Sequence, residues 1–323
     1  MRNRVILGLL FFLGLASGYA QRKTVFATME DSIVKLHHSI ITEKNSAIRY
    51  QKNETLLYIL EETLGLNNSM SYPFDSIKTI AVLTSSDKKV RIFTWYLIDD
   101  RGVHEHYGFV QAYNAIQKRY MVYPLIDKWQ RVSGDKPTTK TLPCDNWFGA
   151  LYTKLIEVKS TNGTYYTLLG WNGGNIFSQY KIIDVLALNS STGKPMFGSR
   201  VFFNYEKNNR PTRIVFQYAK TGFMHLNYEK QVYMQRSAAK NKKTRQYTMN
   251  KITTEMIVFS RLIPLREGLP PNPQFMVGEV SLIDAFIEQD GKWYFKSDVI
   301  AGNPDRPLPR RVQKTKVLYT PIE

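Results

Sequence analysis

The chain has 323 residues, 43% of them hydrophobic, and 44 lysines and arginines against 27 acids give it a formal net charge of +17. That excess favours anionic partners such as lipid head groups, acidic glycans or acidic protein. A single cysteine excludes an intrachain disulfide framework, and the lack of a helix-turn-helix, zinc-finger or ribonucleoprotein-type motif argues against nucleic acid.

Residues 1–20, MRNRVILGLLFFLGLASGYA, place Arg2 and Arg4 before an apolar run from Val5 to Ala16 and close on the small residues Gly18 and Ala20. This is the order of a secretory signal peptide. The run falls well short of the roughly 20 residues that cross a bilayer as a helix. The expectation is an exported chain that is not transmembrane, beginning at Gln21 and carrying no lipid anchor, because Cys144 does not follow the cleavage point.

Residues 21–132 are expected to form an α+β domain. Helical spacing runs from Glu30 to Ser46 and again through ETLLYILEETLGL, where Leu56, Leu57, Leu60 and Leu64 recur on one face before Gly65. The runs IKTIAVLT, KVRIFTWYLI, HEHYGFVQAY and RYMVYPLI then alternate between polar turns and predict an antiparallel meander. Residues 133–143, SGDKPTTKTLP, read as a linker. From 144 to 303 come further strand-length runs, from ALYTKLIEV to KWYFKSD, separated by turns such as STNGT and NSSTGKP. The fold class is therefore α+β and mostly antiparallel β: short N-terminal helices with a meander, then a β-rich sandwich or open barrel. Residues 304–323 hold Pro307, Pro309 and Pro321 among five basic residues and are expected to be a basic, proline-rich tail.

Candidate chemistry is sparse. His104 and His106 fall on one face of a strand about 7 Å apart, a spacing that two imidazoles can use for a metal. A third ligand must come from elsewhere, with Asp99, His37 and His225 as options; a pair of polar residues on a half-exposed strand is the simpler reading. Residues 230–251, KQVYMQRSAAKNKKTRQYTMNK, contain Lys240, Lys242, Lys243 and Arg245 and no acid. They are expected to form a solvated, mobile hairpin loop, with contact to an anionic surface as the functional alternative. Asp184 lies in IIDVLAL, a strand apolar on both faces, so it needs a buried partner; Lys181 or Arg200 would serve. Cys144 reads as a small buried hydrophobe. Trp171 and Trp147 are the aromatic candidates for stacking on a ligand. The insert WNGGN after Trp171 suits a turn, because glycine and asparagine tolerate positive φ, and no lysine or helix follows at phosphate-loop spacing. No HExxH, GxSxG, GxGxxG or CxxC occurs, so no catalytic residue and no cofactor are assigned.

The order of YYTLLGW, KIIDVL and a following FG, preceded by DNWFGALYTKLIEV, resembles a functionally uncharacterised family of exported proteins of Gram-negative bacteria. The resemblance covers roughly residues 140–298. It implies a periplasmic location, with the cell surface or exterior as alternatives, and attaches no activity. Related chains carry Asp-His where this one has Ser260-Arg261. The functional expectation is a non-enzymatic binding or interaction protein of the cell envelope with an anionic partner. A metal-dependent hydrolase using His104 and His106, or a structural subunit of an envelope assembly, are the alternatives. Oligomeric state is not readable.

Overall fold

The computed structural model describes residues 25–130, 137–205, 210–240, 245–268 and 272–299. The expected signal peptide, the start of the expected linker, Lys242, Lys243 and the basic tail lie outside the described residues.

Helix α1 covers residues 25–42 and buries Phe26, Glu30, Ile33, His37 and Ile40, three and four residues apart along a single stripe. Helix α2, Ser46–Gly65, starts earlier than its leucine pattern suggests because Asn45 caps it: the Asn45 side chain accepts a hydrogen bond from the Ile48 amide at 3.1 Å. Leu56, Leu60 and Leu64 recur every fourth residue and are fully buried or nearly so. Each contributes about 1.5–3 kcal/mol relative to exposure.

The strands are β1 Ala81–Thr84, β2 Val90–Ile98, β3 His104–Asn114, β4 Arg119–Ile126, β5 Leu142–Pro143, β6 Leu151–Ser160, β7 Gly163–Asn172, β8 Ser178–Leu188, β9 Pro195–Phe197, β10 Phe202–Phe203, β11 Ile214–Ala219, β12 Leu226–Lys240, β13 Tyr247–Pro264, β14 Met276–Gln289 and β15 Lys292–Lys296. They form three sheets, and every pairing is antiparallel except the short β10–β15 contact. The meander β1-β2-β3-β4 is the first sheet. The second runs β5-β9-β8-β7-β6, with β11 taking the other half of the β8 edge. The third is ordered β10-β15-β14-β13-β12.

Strand alternation explains how these stack. In β2, Phe93, Trp95 and Leu97 point to the helices, while Val90 and Ile92 point to the second sheet. In the second sheet, Tyr166, Leu168, Ile182 and Leu186 face the first sheet, and Tyr165, Leu169, Ile183 and Val185 face the third. The order is therefore helices, meander, central sheet and outer sheet, an α+β, mostly antiparallel layered sandwich with no closed barrel among the described residues. Being covered on both sides, β8 buries Ile182, Ile183, Asp184, Val185 and Leu186 completely, which is why IIDVL shows no alternation. One core cluster takes Val90, Ile92 and Val110 from before residue 133 and Trp147, Tyr152 and Phe197 from after it.

The expected mobile loop at 230–251 is the main local departure. β12 and β13 continue as a hydrogen-bonded ribbon, paired from Leu226↔Phe259 to Lys240↔Tyr247 with one register shift between Arg236 and Lys240. Its body end is buried at Tyr233, Met256 and Val258, whereas residues 247–251 are exposed at every position.

Candidate functional site

His104 and His106 do share a face of β3, the one that meets the central sheet, and both are buried. Their surroundings correct the half-exposed reading. His106 donates from its backbone N to Asp127 Oδ2 at 2.8 Å, and its Nδ1 lies 3.0 Å from the same oxygen. Asp127 Oδ1 accepts from the Trp129 amide at 2.8 Å. Trp147 and Tyr96 cover the His106 ring. His104 packs against Tyr96 and Trp171, and burial, together with the charges of Lys220 and His106, pushes its pKa down to about 4. It is neutral at neutral pH.

Among the described residues, His104 Nδ1 and His106 Nε2 have no hydrogen-bond partner, and no group of three His, Cys, Asp or Glu side chains gathers around them. The distant residues offered as a third ligand are engaged elsewhere. Asp99 accepts from Arg101 and Val103 inside the DDRG turn, His37 bonds Thr79 Oγ1 at 2.7 Å, and His225 lies 3.8 Å from Glu229. The two histidines are thus brought together without a coordinating set.

The WNGGN insert occupies the space beside them. His104 N donates to Gly174 O at 2.9 Å, and Lys220 Nζ donates to Gly173 O at 2.8 Å. Asn172, fully buried, donates to Gly149 O and accepts from Gly174 N. Gly174 has φ +60°. A Cβ on Gly173 would lie 2.1 Å from His104 Cδ2. The insert is therefore a turn, and its second glycine requirement is contact: the loop backbone presses against an imidazole of the neighbouring sheet.

The aromatic candidates separate. Trp147 is fully buried, its Nε1 donating to Tyr152 Oη at 3.1 Å, so it packs the core and has no face for an external ligand. Trp171 is only half-buried, yet its ring meets Tyr96 and His104 and its Nε1 donates to Gln179 Oε1. The partner of Asp184 is Arg213 rather than Lys181 or Arg200: Arg213 Nε donates to Asp184 Oδ1 at 3.1 Å, with both side chains fully buried. Tyr152 Oη donates to Asp184 Oδ2, and burial beside that carboxylate pushes the tyrosine pKa well up. Arg213 was legible only through pairing, since it precedes Ile214, the partner of Ile183. Burial, with Asp145 adding to it, raises the Cys144 thiol to about 12, so it stays protonated. Arg261 holds Asp284 at 2.6 Å and Asp298 at 2.8 Å.

What remains exposed and chemically distinctive is the ribbon. Alternation puts Tyr247, Met249 and Lys251 on one face of β13, with Met234 opposite Lys251 and Lys240 opposite Tyr247. Lys240, Arg245, Met234, Met249 and Tyr247 are all exposed, and Lys240 Nζ sits 5.5 Å above the Tyr247 ring. The nearest acid along β13 is Glu255, paired with Lys230 nearer the body. Cationic and apolar groups thus share one solvent-facing surface.

No protein-family model matches the chain, and comparison with curated proteins and with solved structures likewise finds no match.

Proposed function

We propose that this protein is an exported, non-enzymatic binding protein of the cell envelope whose β12–β13 ribbon docks on an anionic lipid surface. The observation that carries the reading is the exposed ribbon face, where Met234, Met249 and Tyr247 lie among Lys240 and Lys251, with Arg245 exposed two residues before the strand begins. Lysines and arginines near a charged bilayer contribute about 1 kcal/mol each at moderate salt, and methionine and tyrosine bury readily at the head-group boundary. A two-stranded ribbon is marginal in water, so an exposed one gains stability from a surface to lie against. Export rests on the N-terminal twenty residues, whose charged start, apolar middle and small-residue end follow the secretory order. Among the described residues no helix is long and apolar enough to cross a membrane, and the contact proposed is with the surface.

Co-sedimentation tests this. The full chain should pellet with vesicles containing an anionic phospholipid and stay in solution with zwitterionic vesicles. Removal of residues 238–245 should abolish pelleting without lowering the melting temperature by more than a degree or two. Equal pelleting by both proteins, or none by either, removes the ribbon as the docking element.

A further inference from the structure

We infer that the cleft between the meander and the Tyr72–Ile80 connection is a binding site for a small molecule bearing a carboxylate or phosphate. The cleft has a volume of about 620 Å³ and is lined by Phe74, Asp75, Lys78, Lys88, Arg91 and Tyr120 among others. Its chemistry turns on Arg91, which is 2% exposed and forms no ion pair among the described residues. The guanidinium is oriented by neutral groups alone. Nε donates to Thr84 Oγ1 at 3.2 Å, Nη1 to Ser69 O at 3.3 Å and Nη2 to Met70 O, while the Phe74 ring lies 5.3 Å from its carbon.

Buried arginines are nearly always paired with an acid, because carbonyl dipoles offset only part of the lost hydration. Here the three acceptors fix the position of the head, and no carboxylate of the described residues compensates its positive charge at the cleft. Lys78 and Lys88 add two exposed cations to the same wall, against the single carboxylate of Asp75. An arginine held in place by three acceptors, with two exposed lysines beside it, is the arrangement that receives an oxyanion. Both Phe74 and Lys88 have positive φ, +57° and +58°, which for side chains of this size is a costly backbone state. Each places its residue on the cleft wall. The Tyr120 ring, 42% exposed, offers flat apolar contact for the rest of such a molecule, while Phe74, 1% exposed, is packed beneath the Arg91 guanidinium.

This site is independent of the ribbon, and the two can be tested apart. Isothermal titration would use inorganic phosphate and benzoate as separate probes, on the full chain and on a Lys240→Gln/Arg245→Gln/Lys251→Gln variant. Saturable binding of one probe or both should be retained in the ribbon variant, and which probe binds more tightly separates the phosphate from the carboxylate class. Lys78→Ala/Lys88→Ala, which alters exposed side chains, should weaken binding about tenfold with an unchanged melting temperature, and Asp75→Asn should tighten it severalfold by removing the opposing charge. Arg91→Gln should abolish it. Should that variant not fold, the lysine pair and Asp75→Asn still decide. The inference is overturned if the full chain shows no saturable binding of either probe, or if binding is unaffected by the Lys78/Lys88 and Asp75 substitutions.

Discussion

The residues beside the two buried histidines illustrate how close packing, rather than ligand chemistry, accounts for a glycine-rich insert. Gly173→Ala would force a methyl group into the His104 ring, and overpacking of this kind costs about 1–3 kcal/mol. The control is Gly65→Ala at the end of α2, where nothing lies within 4 Å of an added Cβ. Chemical denaturation should show a lowered midpoint for the first and none for the second. Asp184→Asn is expected to be more damaging, by about 3–5 kcal/mol, because it leaves the Arg213 charge buried without its partner. Burial lowers His37 and His104 from 6.5 to about 4. The unfolded chain therefore binds more protons than the folded one between those values, so stability is full above about pH 6.5 and falls as pH drops towards 4. The loss is on the order of 1 kcal/mol per pH unit for each histidine. Denaturation midpoints measured across that window should fall less steeply for His37→Gln. An unchanged slope would assign the acid sensitivity elsewhere.

At the scale of elements, legibility followed periodicity. The meander strands and β6, β7 and β8 are visible as runs of strand length because packing on one or both faces imposes an apolar pattern on them. The leucine pattern starts helix α2 too late, since its first turns carry polar residues and only the Asn45 cap marks the start. The outer halves of β12 and β13 are hidden for the opposite reason: residues 247–251 are exposed at every position, so no alternation marks the strand and only the charge of the stretch stands out. Burial and partners at the candidate site were less accessible still. His104 and His106 are spaced as strand residues, but that the WNGGN turn and Asp127 enclose them depends on contacts between sheets, which spacing along one chain does not encode. Likewise Arg213 reaches Asp184 through the β8–β11 pairing. Because no core cluster of the described residues draws on residues 234–251, removing residues 238–245 should shift the melting temperature by no more than a degree or two, consistent with the small cost of exposed substitutions. A larger drop would show that the ribbon supports the outer sheet.

Across the whole molecule, a stack of helices and three sheets carries two separate concentrations of positive charge. One is the exposed ribbon, where cationic and apolar groups meet solvent together. The other is the cleft at Arg91, where a fixed cation has no counter-charge among the described residues. The net charge of +17 alone would make any anionic surface attractive, and salt would weaken that attraction wherever it acts. The discriminating quantity is how binding changes when the ribbon charges alone are removed. Affinity for anionic vesicles should be measured against salt concentration for the full chain and for Lys240→Gln/Arg245→Gln/Lys251→Gln. The variant should bind at least about tenfold more weakly at low salt and lose most of the salt dependence. Equal affinity and equal salt dependence in the two proteins would contradict docking through the ribbon.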